Sequence, residues 1–156
     1  MSYSKETSLI LDSTRGHEHL SSNQPLYYSS TFHQHTLGEN QEFDYARSGN
    51  PNRKLLEEKL AKLEDGQYGF AFSSGIAAIT AVFLTLEPGD HVILPDDVYG
   101  GTFRLTEQIL KKFKIEFTTV DQTDLNQVEN AVQPNTKLIY VETPSKIGRA
   151  SCRERV

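Results

Sequence analysis

The chain of 156 residues has no tryptophan, a single cysteine and no long apolar run. One cysteine excludes an intramolecular disulfide framework and fits a reducing compartment. A membrane-spanning helix needs about 20 consecutive apolar residues, and no such stretch is present. The N-terminus also lacks the basic and then apolar order of a secretory signal. We therefore expect a cytoplasmic protein that does not bind membranes.

Basic residues are also in the minority. Lysine and arginine together number 16 against 21 acidic residues, which gives a formal net charge of −5. No cluster of basic residues marks an electrostatic footprint for DNA or RNA, so we expect no nucleic-acid partner. The length suits one domain with a core of its own.

The stretch from Phe70 to Ile79 is the most informative part of the chain. An aromatic and apolar run meets Ser73-Ser74-Gly75, and small or apolar residues then recur at helical spacing. This pattern predicts a buried strand that turns into the start of a helix. Unpaired backbone N–H groups and the helix dipole make such a start an anion site. Gly75 has no Cβ, so a phosphate could approach the backbone closely.

Apolar segments alternate with helical patterns after this turn, which predicts a parallel three-layer α/β sheet with crossover helices. Loops at the carboxyl ends of parallel strands line the ligand crevice of such sheets, so Tyr99 could lie against a flat ligand. A sheet that stops after its fourth strand would leave an edge open, which suggests an incomplete domain. The predicted strands are residues 70–72, 91–95, 115–120 and 137–141, and the apolar faces of the later helices are Leu105, Ile109 and Phe113, then Leu125, Val128 and Val132.

A second helix is predicted to start at Asn50 and Pro51, because asparagine is a good N-cap and proline suits the first helical position. Its apolar stripe is Leu56, Leu60 and Leu63, and Gly66 is predicted to end it.

Tyr45 and Arg47 precede this helix and would point the same way from an extended segment. A guanidinium beside a phenol can bind phosphate, although a surface arginine and a packing tyrosine are an equally good interpretation.

Residues 1 to about 44 are polar and irregular, and such a segment is either disordered or an arm ordered by packing on a partner. They contain two His-x-His pairs, His17 with His19 and His33 with His35. Such spacing can bind a metal, but no third ligand clusters with either pair, so we interpret them as solvent-exposed histidines and expect no metal.

The residues after Ser145 differ from the rest. They hold four basic residues and one acidic residue, contain Cys152, and show no amphipathic period. Residues 147–156 resemble the translation of a common sequencing adapter. We therefore predict that residues 146–156 are an artefactual tail and that the natural protein continues differently, the alternative being a genuine basic tail.

Four motifs occur in one order and are similar to those of the Cys/Met-metabolism family of pyridoxal 5′-phosphate (PLP) enzymes. The family includes cystathionine β-lyases, γ-lyases and γ-synthases, and the resemblance covers residues 25 to 145. The segment 45–53 and the arm residues 31–34 most resemble bacterial cystathionine β-lyases. The motifs are Tyr45-x-Arg47-x-Gly49-Asn50-Pro51, Ser73-Ser74-Gly75-Ile76-Ala77-Ala78, Asp96-Asp97-Val98-Tyr99-Gly100-Gly101-Thr102 and Val141-Glu142-Thr143-Pro144-Ser145.

This resemblance implies a fold and roles for five residues. The fold would be the aspartate-aminotransferase-like fold type I, with an N-terminal arm (1–50), a partial PLP-binding large domain (51–145) and the tail (146–156). Gly75 and Ile76 would donate backbone N–H groups to the PLP phosphate, although the family usually has methionine at the position of Ile76. Tyr45 and Arg47 would bind the phosphate in the neighbouring subunit, which implies a homo-oligomer, at least a dimer and by family a tetramer. Tyr99 would stack on the pyridine ring and assist at the reacting centre.

The chain also departs from the family. The family's Pro-Ser-Asn-Pro reads Pro144-Ser145-Lys146-Ile147 here. The Schiff-base lysine and the aspartate that pairs with the pyridine nitrogen come later in family chains, and Lys146 does not match that lysine. We therefore expect the 156-residue chain to be catalytically inactive.

The function implied is a PLP-dependent carbon–sulfur lyase of trans-sulfuration, which cleaves cystathionine to homocysteine, pyruvate and ammonia. The alternatives within the family are a γ-lyase, a cystathionine γ-synthase or an O-acetylhomoserine thiolyase. An alternative of another class is a non-enzymatic phosphate-binding module. A nicotinamide-binding domain is disfavoured, because no Gly-x-Gly-x-x-Gly follows a strand.

Overall fold

The computed structural model describes residues 4, 7, 24–36 and 38–143, and the chain forms two compact units, residues 1–71 and 72–156. The histidine pair His17 and His19 and the predicted artefactual tail therefore lie outside the described residues. No helix among the described residues is long and apolar enough to cross a membrane.

The described part of the first unit consists of an irregular arm and one helix, α1 (Pro51–Leu63). As predicted, Asn50 caps this helix, since its side chain accepts a hydrogen bond from the N–H of Asn52, and Pro51 stands in the first turn. The arm is attached to α1 through Asn52, whose amide both accepts from the Tyr27 N–H (3.1 Å) and donates to the Tyr27 carbonyl (2.9 Å).

Two details of α1 differ from the sequence-based expectation. Asp65, and not Gly66, takes the left-handed conformation (φ 53°) after the helix, and the Gly66 N–H then donates to the Ala61 carbonyl (2.7 Å). The predicted stripe of Leu56, Leu60 and Leu63 is exposed in this structure, and Ala61 is the buried residue of α1.

The second unit contains a parallel sheet of three strands, β1 (His91–Pro95), β2 (Glu116–Val120) and β3 (Thr136–Ile139), in the order β2-β1-β3. The pairing of β1 with β2 runs in register from His91 with Glu116 to Pro95 with Val120. The pairing with β3 has an irregularity between His91 and Val92. The predicted parallel α/β architecture is therefore confirmed.

Helices α2 (Gly75–Phe83), α3 (Gly100–Gln108) and α4 (Leu125–Ala131) accompany this sheet, and a short 3-10 helix (Leu110–Phe113) follows α3. Helix α2 packs against α3, and α4 packs against β2. β1 is buried along its whole length because it has a strand on each side and its residues are apolar apart from His91. The main core cluster consists of Phe83, Val92, Leu94, Leu105, Leu110 and Ile115.

The predicted buried strand over residues 70–72 is wrong. No strand is assigned to it among the described residues, and Phe70 and Phe72 are 74% and 47% exposed. A strand satisfies its backbone groups only through a neighbouring strand, and the described sheet ends at β2 and β3. The predicted helix that follows is confirmed, but it is less buried than expected, since Phe83 is its buried residue.

Later segments show the same excess of exposed apolar side chains. Of the predicted stripe on α3 and its extension, Leu105 is buried, whereas Ile109 and Phe113 are exposed. Leu125 at the start of α4 is 78% exposed, and Val132 is also exposed. β3 has a neighbour on one side within the described sheet, and Ile139 on it is 46% exposed, so the prediction of a buried strand is wrong there.

Candidate functional site

The first N–H groups of α2 form the first element of the site. Ser74 caps the helix: its hydroxyl accepts from the Ala77 N–H (3.3 Å) and its carbonyl accepts from the Ala78 N–H (3.1 Å). The N–H groups of Gly75 and Ile76 come before these and have no intrahelical acceptor. Both residues are exposed, and a Cβ added at Gly75 would meet no atom within 4 Å. The helix start therefore presents two donors and the positive end of a dipole to open space.

Tyr99 is the second element and stands at the N-cap of α3, directly after the loop that follows β1. It caps with backbone only, because its side chain makes no capping hydrogen bond. Its ring lies on the backbone of Gly101: a Cβ there would come within 2.4 Å of Cε1 and 3.0 Å of Cζ. A glycine is needed at 101 for this ring position, which the sequence analysis did not recognise, although two adjacent glycines after a tyrosine were a usable signal.

Glu142, beyond the end of β3, holds the start of α3. Its Oε2 atom accepts from the Tyr99 N–H (3.2 Å) and from the Tyr140 hydroxyl (3.3 Å). Burial raises the pKa of the Tyr140 phenol, the charge of Glu142 adds to the rise, and the hydroxyl of Thr102 partly opposes it. Sequence reasoning placed Glu142 in a motif but gave it no contact, because the pairing depends on strands that are distant in sequence.

Tyr45 and Arg47 belong to the first unit, and the structure brings them together. The Arg47 guanidinium lies over the Tyr45 ring, with Cζ 4.7 Å from the centroid. The expected extended segment is wrong, because residues 46–48 form a turn in which the N–H groups of Ser48 and Gly49 both donate to the Tyr45 carbonyl. The turn nevertheless places the two side chains next to each other, as the sequence analysis expected of an extended segment.

Side chains around this turn hold it in place. The Asp44 carboxylate accepts from the Ser48 hydroxyl (2.9 Å) and from the Tyr45 N–H, and these bonds lower the pKa of Asp44. Arg53 on α1 donates to the Ser48 carbonyl (2.9 Å). The backbone on the other side pairs with the arm at an isolated bridge between Thr31 and Tyr45. The turn is thus fixed to both the arm and α1.

A cavity of about 670 Å³ lies at the carboxyl ends of the three strands of the second unit. This is the edge at which ligands bind in open α/β sheets. Its walls combine carboxylates with apolar side chains, namely Asp96, Asp97, Asp121, Glu142, Leu125, Val128, Ile139 and Val141. Asp121 is tied into its own turn, since it accepts from the Thr123 N–H (2.9 Å) and hydroxyl (2.6 Å), and these bonds lower its pKa.

His33 and His35 are both exposed, as predicted, and their backbone groups bind the side chain of Gln41. Within the residues that the structure describes, no group of three histidine, cysteine or acidic side chains is arranged to hold a metal ion.

The chain resembles known proteins in sequence along most of its length. A model of the Cys/Met metabolism PLP-dependent enzyme family matches residues 6–150. Cystathionine β-lyase MetC of Staphylococcus haemolyticus is 72% identical over 145 residues, which is 93% of this chain and 37% of the relative. Cystathionine γ-lyase of Bacillus subtilis is 49% identical over 121 residues, which is 78% of this chain and 32% of the relative. The chain thus spans about a third of the length of the relatives that it matches.

Solved structures give the same result for the fold. Cystathionine γ-lyase from Lactobacillus plantarum, crystallised with L-serine, superposes with a TM-score of 0.80 at 46% identity, over 92% of this chain and 38% of that one. An O-acetylhomoserine (thiol)-lyase from Campylobacter jejuni superposes with a TM-score of 0.80 at 27% identity, over 99% and 43% of the two chains. That structure contains N′-pyridoxyl-lysine-5′-monophosphate. The predicted fold type I architecture is thereby confirmed.

Proposed function

The chain belongs to the Cys/Met metabolism PLP-dependent enzyme family, and on that premise we propose that it is part of a cystathionine β-lyase. The observation that carries the choice of reaction is the 72% identity to a cystathionine β-lyase, against 49% to a γ-lyase. The activity proposed is that of the full-length protein, since this chain spans about a third of the length of the relatives that it matches.

The described residues suit the phosphate end of PLP. A phosphate needs several donors and a positive potential, and the start of α2 offers the N–H groups of Gly75 and Ile76 together with the helix dipole. The open space beside Gly75 leaves room for the anion. Arg47 and Tyr45 add a guanidinium and a hydroxyl, and in our proposal they serve the site of a neighbouring subunit.

Tyr99 suits the flat end of the same molecule. Its ring lies against the backbone of Gly101 and is half-buried at the strand ends, where the ligand crevice of an α/β sheet lies. In the proposal it stacks on the pyridine ring and fixes its plane, so that the substrate's reacting bonds keep one orientation. A stacked aromatic pair is worth about 0.5–1.5 kcal/mol beyond its buried area.

PLP, when bound, supplies an electron sink for the carbanion that forms when the substrate loses its Cα proton. The residues of this chain bind and orient the molecule at its phosphate and ring. In the overall reaction the Cβ–S bond of cystathionine breaks and homocysteine leaves. Hydrolysis of the remaining three-carbon amine then gives pyruvate and ammonia.

The proposed assembly is a cytoplasmic homo-oligomer. It is at least a dimer, in which each site is shared by two subunits, and by family a tetramer. It rests on the role proposed for Tyr45 and Arg47 across a subunit boundary. Light scattering of the full-length protein after size-exclusion chromatography tests it, and a monomeric mass with full activity would contradict it.

Product analysis tests the reaction. The full-length protein, with PLP added, is incubated with cystathionine, and the products are identified by mass spectrometry. We expect homocysteine and pyruvate in equal amounts. Cysteine with 2-oxobutyrate would instead identify γ-elimination, the reaction of the γ-lyase alternative, and no product at all would contradict a lyase. Cystathionine incubated with PLP but without the protein provides the control.

A further inference from the structure

We propose that Glu142 is a positioning residue that holds Tyr99 at the start of α3 for the reaction proposed above. This inference rests on the proposed function, since it concerns the same site. The observation behind it is one carboxylate oxygen shared by two partners: Glu142 Oε2 lies 3.2 Å from the Tyr99 nitrogen and 3.3 Å from the Tyr140 hydroxyl.

The bond to Tyr99 replaces a missing cap. In a capping box, the glutamate three residues into a helix accepts from the N–H of the N-cap residue. Helix α3 has Thr102 at that position and no acidic residue in its first turn, and the Tyr99 side chain makes no capping bond. Glu142, beyond the end of β3, supplies that acceptor, and its negative charge faces the positive end of the α3 dipole.

Glu142 is itself fixed from the sheet. The Tyr140 hydroxyl shares its Oε2 atom, and the Tyr140 carbonyl accepts from the Gln122 side chain (2.8 Å). The Tyr140 ring packs on Phe83, with centroids 5.7 Å apart. Phe83 is the last residue of α2, the helix whose first residues form the proposed phosphate site. The Glu142 carboxylate therefore connects the Tyr99 backbone, through Tyr140 and Phe83, to α2, the helix that carries the proposed phosphate donors.

The ring of Tyr99 follows its backbone closely. Because the ring already lies on the backbone of Gly101, a shift of the Tyr99 nitrogen must move the ring or press it against that glycine. Loss of the Glu142 bond should thus change the ring plane that the proposed stacking needs.

Amide hydrogen exchange tests the contact without any cofactor. In the full-length protein we compare Glu142→Ala, Glu142→Gln and the control Glu129→Ala, which removes an exposed carboxylate on α4. Glu142→Ala should speed exchange of the Tyr99 amide about tenfold, since the N–H loses its acceptor. Glu142→Gln keeps an amide oxygen as acceptor and should stay within about threefold, as should Glu129→Ala.

Binding and kinetics test the positioning role. Loss of a capping interaction costs about a factor of five, so Glu142→Ala should weaken PLP binding and lower kcat/KM by about that much, and Glu142→Gln should restore most of it. The same substitution made in a Tyr99→Ala background should have little further effect on PLP binding. Such non-additivity is expected of a residue that acts through Tyr99 and not of one that only stabilises the fold.

Two results would overturn the inference: Tyr99 exchange unchanged in Glu142→Ala, or additive losses of PLP affinity in the double variant. If the unaltered protein bound no PLP at all, the proposed function would fail and the positioning role with it. If PLP binding and lyase activity are normal and only the Glu142 variants behave like Glu129→Ala, this inference alone fails.

Discussion

The guanidinium of Arg47 lies 4.7 Å from the centre of the Tyr45 ring, and the turn between these residues brings the two groups together. The cation and the phenol are therefore held together by contacts within the chain, with Asp44 and Arg53 supporting the turn from either side. Side chains ordered in advance lose less entropy on binding an anion.

Two substitutions of Arg47 should show how much of the PLP affinity depends on its positive charge and how much on the shape of its guanidinium group. Arg47→Ala removes a charged donor, so we expect PLP to bind the full-length protein about 10- to 100-fold more weakly, from about 1.5–3 kcal/mol per charged hydrogen bond. Arg47→Lys should recover only part of this, because an ammonium lacks the planar fork and the stacking on Tyr45. Absorbance titration with PLP measures both. Lys112→Ala, which removes an exposed cation elsewhere, is the control, and an equal loss there would contradict a specific role.

A methyl group at position 101 should disturb Tyr99. Since a Cβ at Gly101 would lie 2.4 Å from Tyr99 Cε1, Gly101→Ala must displace the ring. We expect a loss of about 1–3 kcal/mol in the free energy of unfolding and weaker PLP binding. At Gly100 the nearest atom to a Cβ is Arg104 Nη1 at 3.5 Å, an ordinary contact. Gly100→Ala should therefore be tolerated, and equal effects at both positions in urea unfolding would contradict the ring placement.

The cap of α2 gives a prediction about stability. The hydroxyl of Ser74 accepts from the Ala77 N–H, whereas no such bond is assigned to Ser73 among the described residues. Ser74→Ala should lower the free energy of unfolding by about 1 kcal/mol, and Ser73→Ala should change it little. Denaturant unfolding of the two variants measures the difference, and a larger loss from Ser73→Ala would show that the helix starts elsewhere.

The Tyr140 phenol predicts how stability depends on pH. Burial raises its pKa in the folded state above the ordinary value of 10.0. As the pH rises, the phenol of the unfolded chain therefore loses its proton before that of the folded chain. The contribution of the protonated Tyr140 phenol to the free energy of unfolding is complete below about pH 10, and it is lost as the pH rises through the folded-state pKa. Unfolding measured from pH 8 upwards should show a steeper alkaline decline for the unaltered protein than for Tyr140→Phe. Identical slopes would contradict the raised pKa.

Local signals in the sequence were sufficient for much of the fold. The cap at Asn50, the helix start after Ser73-Ser74-Gly75, the buried strand 91–95 and the parallel alternation were all predicted from residue types and spacing. These features depend on neighbours a few residues away. The glycine turn before β1 is of the same kind, with Gly89 at φ 96° and the Asp90 N–H bonded to the Glu87 carbonyl.

Features that depend on distant partners could not be predicted this way. Phe70 and Phe72 have the pattern of a buried strand and yet are exposed, because burial also requires a neighbouring strand. Glu142 was not recognised as the acceptor for Tyr99, since 43 residues separate them. Residue types suggested a phosphate at Gly75, Tyr45 and Arg47 and a flat ligand at Tyr99, and family resemblance made that ligand PLP and added Ile76. These roles stay predictions.

PLP binding by two variants at Gly75 tests most directly the central claim that the start of α2 holds the cofactor phosphate. Proline suits the first helical position, and the extended backbone of Ser74 accepts a following proline, so Gly75→Pro should fold normally while it removes one N–H donor. Gly75→Ala keeps that donor and serves as the matched variant. We predict that Gly75→Pro binds PLP at least about tenfold more weakly than Gly75→Ala. The free energy of unfolding should be the same in both variants, and so should the affinity for pyridoxal, which lacks the phosphate. Equal PLP affinities in the two variants would contradict the claim.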